Sequence, residues 1–303
     1  MKIRAMTALR MKLRVIIFSE TGNEEKDGIY LFEISKKPLS FLPPLVPLVL
    51  KKDLITGISL AASEVSFSYD YKQAIFDFTL DDQSKISYLL AFDEQNQQAF
   101  DISTSRDTLL AAWEEERFKE TQKILETTSK KIRPVATGSF DIISISPDET
   151  KMLYRARENA ILPPVIDPPL IAANQVPESR GLVKDEVYVY DKKEDKNYHI
   201  DLANFQIPGL KTEQRTRRGT VTTINFAVLP TSIMWYPDSR HLVIREEKQI
   251  VVIDYDATNR QTVYSGPYDA KFLGVADDGK LLILANLNPQ ANKLPDLYSV
   301  GIK

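Results

Sequence analysis

Acid–base chemistry starts with histidine. The chain has only His199 and His241, each among strand residues with no carboxylate or nucleophile at a telling spacing. Both read as core or surface histidines. No Gly-x-Ser-x-Gly elbow occurs, so a serine hydrolase is not indicated. Cysteine is absent, which removes disulfides, thiolate metal sites and a cysteine nucleophile together. Zinc sites built from Cys and His are excluded by count, whereas an all-carboxylate calcium site is not. The acidic pairs Asp81-Asp82 and Asp277-Asp278 do not continue into EF-hand spacing and read as turn formers. There is no P-loop and no Gly-x-Gly-x-x-Gly, and with 11 glycines in all the chain lacks phosphate-cradling loops. The sequence therefore predicts no catalytic residue, no metal ligand and no cofactor.

What remains is surface suited to a protein partner. Arg215, Arg217 and Arg218 form a compact basic cluster in the polar tip Lys211–Gly219, either a solvated hairpin tip or an anion contact. Aromatic stacking residues do not accompany it, and a net charge of −3 gives no global field, so nucleic acid is not expected as a partner. Residues 158–185 carry Pro163, Pro164, Pro168, Pro169 and Arg180; two Pro-Pro pairs favour a stiff, extended arm. That arm either folds back on the protein or recognises a partner. Thr104 to Lys131 has helix composition, with Leu109, Leu110, Trp113, Arg117, Thr121, Ile124 and Leu125 at three- and four-residue spacing. Trp113 on that stripe must be covered, by this chain or by a partner, and cover by this chain is the expectation.

The elements that would position these groups form a repeat. Ile233 to Tyr255 reads strand, tight turn, strand, short turn, strand, with the first turn at Tyr236-Pro237-Asp238-Ser239. The same Asp-bearing turn recurs at Asp70, Asp148 and Asp278, each before an apolar strand. Asp238 and Asp278 are 40 residues apart, close to the length of a four-stranded blade. The gaps of 78 and 90 residues between the earlier aspartates hold the helix, the proline arm and the arginine hairpin. The expected fold is all-β: a single β-propeller domain over 1–303, of four-stranded antiparallel blades, about five visible, with one inserted α-helix. Val15–Phe18 and Ile29–Glu33 read as inner strands of a first blade. Met1–Leu13 does not alternate cleanly, so that blade is expected to lack its first strand, as in an N-terminally truncated propeller; the alternative is a first strand supplied by the other terminus, which closes the ring. Glu33, Asp93, Asp191 and Asp254 each end a third strand, where an acid caps the next turn. The apolar run Phe41–Leu50 is broken by three prolines and too short to span a bilayer, and the basic start shows no signal peptide.

Ser146-Pro-Asp148 with Met152-Leu-Tyr154, Trp235-Tyr-Pro-Asp238 with Leu242-Val-Ile244, and Val187-Tyr-Val-Tyr-Asp191 resemble the TolB-like propeller repeat. That repeat also occurs beside the hydrolase domain of dipeptidyl-peptidase-type enzymes. The arrangement is also similar to the propeller half of bacterial envelope proteins that carry PEGA modules and a membrane anchor, which would imply an envelope-associated chain. The Asp-bearing turn also admits comparison with the Asp-box of sialidase-type propellers, but only Asp278-Gly279 has the glycine that box expects. The expectation is a non-catalytic binding or scaffold module with a protein partner. The alternatives are a glycosidase-like propeller hydrolase and the accessory propeller of a peptidase.

Overall fold

The computed structural model describes residues 2–6, 14–23, 25–33, 45–60, 63–93, 95–202, 210–217, 220–227, 233–246, 248–269, 272–290 and 295–302. Among these residues the fold is mostly β, built from antiparallel sheets with two α-helices. The chain divides into two compact units, Met1–Lys123 and Ile124–Lys303.

In the first unit, β1 (Lys2–Met6), β2 (Arg14–Ser19), β3 (Gly28–Glu33) and β4 (Leu45–Leu50) form one four-stranded sheet in chain order. β5 (Glu64–Phe67), β6 (Gln73–Thr79), β7 (Lys85–Ala91) and β8 (Phe100–Asp101) form the second. Alternation along β6 decides what each face meets. Ala74, Phe76 and Phe78 enter a core shared with Ile16, Phe18, Ile29 and Leu31 of the first sheet. Ile75 turns the other way, onto Leu110 and Trp113 of α1 (Arg106–Glu126). Asp77 follows Ile75 on that face and receives Arg106 in a bidentate pair, Nε to Oδ1 at 2.8 Å and Nη2 to Oδ2 at 2.7 Å. α1 is thus fixed by an apolar contact and by a charge pair one turn apart.

In the second unit, the end of α1 and α2 (Arg133–Ser139) lead into β9 (Phe140–Ile145) and β10 (Lys151–Ala156). The two-stranded ribbon of β11 (Ala160–Ile161) and β12 (Gly181–Leu182) closes the proline-rich loop. β13 (Val187–Asp191) and β14 (Lys196–Ile200) then complete a third sheet, ordered β14-β13-β10-β9. β15 (Leu210–Arg217) and β16 (Thr220–Ala227) pair as a hairpin. β17 (Ile233–Trp235), β18 (His241–Arg245), β19 (Ile250–Asp254) and β20 (Gln261–Tyr264) make the fourth sheet. β21 (Leu273–Val275), β22 (Leu281–Ala285) and β23 (Asp296–Val300) make a three-stranded fifth.

These sheets stack face on face. Leu153, Val187 and Val189 of the third sheet share a core with Leu242 and Ile244 of the fourth. Tyr188 and Tyr190 point away from Val187 and Val189, joining Met152, Tyr154, α2 residue Ala136 and Leu125 of α1. Val243 of the fourth sheet faces Leu273, Leu281 and Ile283 of the fifth. Such a strand is apolar on both faces, which explains its unbroken hydrophobic runs.

The Asp-bearing turns share one geometry. Asp70, Asp148, Asp238 and Asp278 each accept, through Oδ1, the amide two residues on, at 2.9–3.2 Å. The residue after each aspartate, Tyr71, Glu149, Ser239 or Gly279, is left-handed, with φ between 54° and 82°. The aspartate stabilises a turn that costs the L-residues some strain.

Three expectations change. The first sheet has its first strand, because Lys2–Met6 pairs with β2 from Lys2↔Phe18 to Met6↔Arg14; residues 7–13 lie outside the described part. The described residues hold two α-helices rather than one, and the first ends at Glu126. The arm is not a free extended segment but takes the folded-back alternative: the chain doubles back through β11 and β12, and buried Asp195 accepts the amides of Val165 and Ile166.

Candidate functional site

Lys151 opens β10 and His241 opens β18, at the same place after their Asp-bearing turns. Their cross-strand partners are Asp191, the last residue of β13, and Asp254, the last of β19. The third and fourth sheets therefore bring a lysine–aspartate pair and a histidine–aspartate pair to equivalent positions. Between them opens a cleft of about 370 Å³ lined by Thr150, Lys151, Asp191, Lys193, Glu194, Arg240, His241, Asp254 and Tyr255. Ser239 Oγ accepts the amide of Asp148 at 2.9 Å, tying the two turns across it.

Most polar groups in the cleft are already committed. His241 lies between two carboxylates, Nδ1 2.5 Å from Asp238 Oδ2 and Nε2 3.1 Å from Asp254 Oδ1. Asp254 Oδ2 also accepts from Asn259 at 2.7 Å. Asp191 Oδ1 accepts the amides of Lys193 and Glu194, and Glu194 Oε2 accepts the amide of Asn174 at 2.8 Å. Buried Lys151 donates to Thr150 Oγ1 at 3.0 Å, lies 3.8 Å from both Asp148 and Asp191, and sits 4.7 Å from the Tyr255 ring centre. The Lys193 and Arg240 side chains have no hydrogen-bond or ion-pair partner among the described residues. Both are exposed at the cleft.

Two carboxyls at this site move in opposite directions. Burial pushes Asp191 up, and the turn amides and Lys151 only partly offset that. Burial would also raise Asp148, but Ser146, the Thr150 amide and hydroxyl, and Lys151 outweigh it and hold the carboxyl at about 2. Asp238 likewise lies below the ordinary range: burial opposes, and the Arg240 amide and the His241 ring and amide prevail.

The residues singled out in the sequence do not gather at this cleft. Trp113 is 5% exposed and covered by Ile75 and Leu110. Arg180 is not a free contact: it binds Glu178 at 2.8 Å and the 2%-exposed Asp195 at 3.1 Å, and donates to the Pro163 carbonyl. Pro163 is half-buried, whereas Pro164, Pro168 and Pro169 are exposed beside Leu170 and a fully exposed Ile171. Arg215 and Arg217 lie on β15 opposite Thr222 and Thr220, on a strand rather than in a loop tip. Arg218 lies outside the described residues.

His241 corrects the expectation that no carboxylate attends it. The signal was present in two parts: Asp238 three residues before it, and the acid that ends the third strand. Asp191 and Asp254 do cap their turns, and they also face the cleft. His199 pairs with Glu186 at 3.0 Å on an exposed face. Among the described residues no cluster of His, Asp or Glu could hold a metal ion, and no helix is long and apolar enough to cross a membrane.

No protein-family model matches the chain, and no curated protein matches it. Among solved structures it is similar to TolB from Acinetobacter baumannii, at 10% identity and a TM-score of 0.25 over 90% of this chain and 49% of that one. It is also similar to the acylaminoacyl peptidase of Pyrococcus horikoshii, at 9% identity and a TM-score of 0.26 over 99% of this chain and 38% of that one. The tricorn protease aligns at 10% identity and a TM-score of 0.25, over 97% of this chain and 24% of that one. The chain spans about half the length of that TolB, 49%, and less of the two peptidases.

Proposed function

We propose that the chain is a single β-propeller whose sheets are its blades, five of them, and that it works as a non-catalytic binding module for a polypeptide partner. The support for the propeller is the repetition: the same antiparallel order, the same Asp-bearing turn, and a fourth sheet buried between the third and the fifth. Neighbouring turns touch, since Ser239 binds the Asp148 amide and the Tyr236 ring lies against Gly279. One observation favours recognition over turnover. Both nitrogens of His241, the histidine in the cleft, face carboxylates of this chain, Asp238 and Asp254, so neither points openly at a substrate.

The recognition site in this reading is the cleft between the third and fourth sheets. Selection of a displayed random-peptide library on the intact chain tests it. Wild-type protein enriches a defined set of sequences, and a Lys193→Glu/Arg240→Glu double variant with an unchanged melting temperature does not. Equal enrichment by both proteins, or turnover of a peptide or glycan library by the wild type, would contradict the proposal.

A further inference from the structure

We infer that the cleft between the third and fourth sheets binds an oxyanion, with Arg240 and Lys193 as its ligands and Lys151 as the fixed charge behind them. The inference deepens the polypeptide-binding reading and rests on it, because it names the group on the ligand that the cleft takes. It follows from a count of polar valences.

Every carboxylate lining the cleft already has a partner. Asp191 is taken by the amides of its own turn, Asp254 by His241 and Asn259, and Glu194 by the Asn174 amide. The phenol of Tyr255 receives Asn174 at 3.4 Å. The cations are differently placed. Arg240 carries five N–H donors and Lys193 three, none used among the described residues. Lys151 spends one donor on Thr150, and its two carboxylate neighbours stand at 3.8 Å, beyond hydrogen-bond reach. The free valence of the cleft is therefore cationic although the chain as a whole is acidic, at −3.

The frame under these groups is rigid. Arg240 precedes the first residue of β18, its amide is held by Asp238, and its carbonyl accepts the Tyr255 amide at 2.8 Å. Lys193 sits in the tight turn between β13 and β14, with its amide on Asp191. The guanidinium offers a planar fork suited to two oxygens at once, and the ammonium is a point charge on the same cleft. A carboxylate and a phosphate share that chemistry, and the volume of about 370 Å³ admits either on a side chain.

Calorimetric titration of the full chain with four probes separates the sources: a Glu-rich peptide, its Gln-for-Glu counterpart, a phosphoserine peptide and inorganic phosphate. At least one anionic probe should bind about tenfold or more tighter than the Gln peptide, and more weakly as salt rises. Arg240→Ala and Lys193→Ala should each lower that affinity about tenfold at an unchanged melting temperature, with Arg240→Lys recovering part of the loss. Equal binding of the Glu and Gln peptides, without phosphate binding, overturns the oxyanion site while leaving polypeptide recognition standing. Inorganic phosphate binding alone upholds the site and removes the polypeptide reading. No binding by any probe overturns both.

Discussion

The amide of Asp148 donates to Ser239 Oγ at 2.9 Å, a bond between the Asp-bearing turns of two adjacent sheets from residues 91 positions apart. Ser239 is 4% exposed and left-handed at φ 62°. Ser239→Ala keeps the strain and leaves the Asp148 amide unpaired, so it should cost about 1–2 kcal/mol in urea unfolding. Ser239→Gly also loses the bond but relieves the backbone, and should cost less than the alanine by about 0.5–1 kcal/mol. Equal losses would remove the strain from this account.

Trp113→Ala removes the largest side chain between α1 and the second sheet. A loss of roughly 3–5 kcal/mol is expected, the range for buried aromatic truncation. Denaturant unfolding reads it directly, and an unchanged melt would mean that Trp113 is covered by something other than its own chain.

Arg106→Ala leaves Asp77, 8% exposed, facing α1 without its guanidinium. The loss should be about 1.5–3 kcal/mol, as for hydrogen bonds to charged groups. Asp77→Asn in the same background should recover part of it by removing the unpaired charge, which a double-mutant cycle measures. Additive losses would contradict direct pairing.

Two shifted carboxyls near Lys151, Asp148 and Asp191, give stability a pH dependence of known sign. Asp148 is held at about 2 against an ordinary 3.8, so between those values the folded state binds fewer protons than the unfolded. Its contribution is full above 3.8 and is lost as pH falls toward 2. Burial raises Asp191, so the folded state keeps that proton longer and its contribution falls as pH rises above 3.8. Asp148→Asn should flatten the acid limb of melting temperature against pH, and Asp191→Asn should remove the opposing fall. Unchanged slopes in both variants would contradict the assignment.

The sequence carried what is local. An aspartate that binds the amide two residues on leaves its mark within four residues, so Asp70, Asp148, Asp238 and Asp278 could be read directly. Alternation likewise separated Val187 and Val189 from Tyr188 and Tyr190. β1 escaped because Lys2–Met6 is a strand only by pairing with β2, and short charged segments do not announce their register. α2 escaped because Arg133–Ser139 holds Pro134 and Gly138, although proline is tolerated in a helix's first turn. The cleft was hidden for a third reason. Lys151 meets Asp191 across 40 residues and both meet the fourth sheet only through stacking, which no spacing rule encodes.

Hydrogen exchange of the intact chain, with and without a saturating ligand taken from the peptide selection, tests recognition at the cleft most directly. Slower exchange should appear in the segments around Thr150, Lys193, Arg240 and Tyr255 together, because those four residues line one cleft from two sheets. Protection confined to the proline-rich loop or to α1, with those four segments unchanged, would contradict the account.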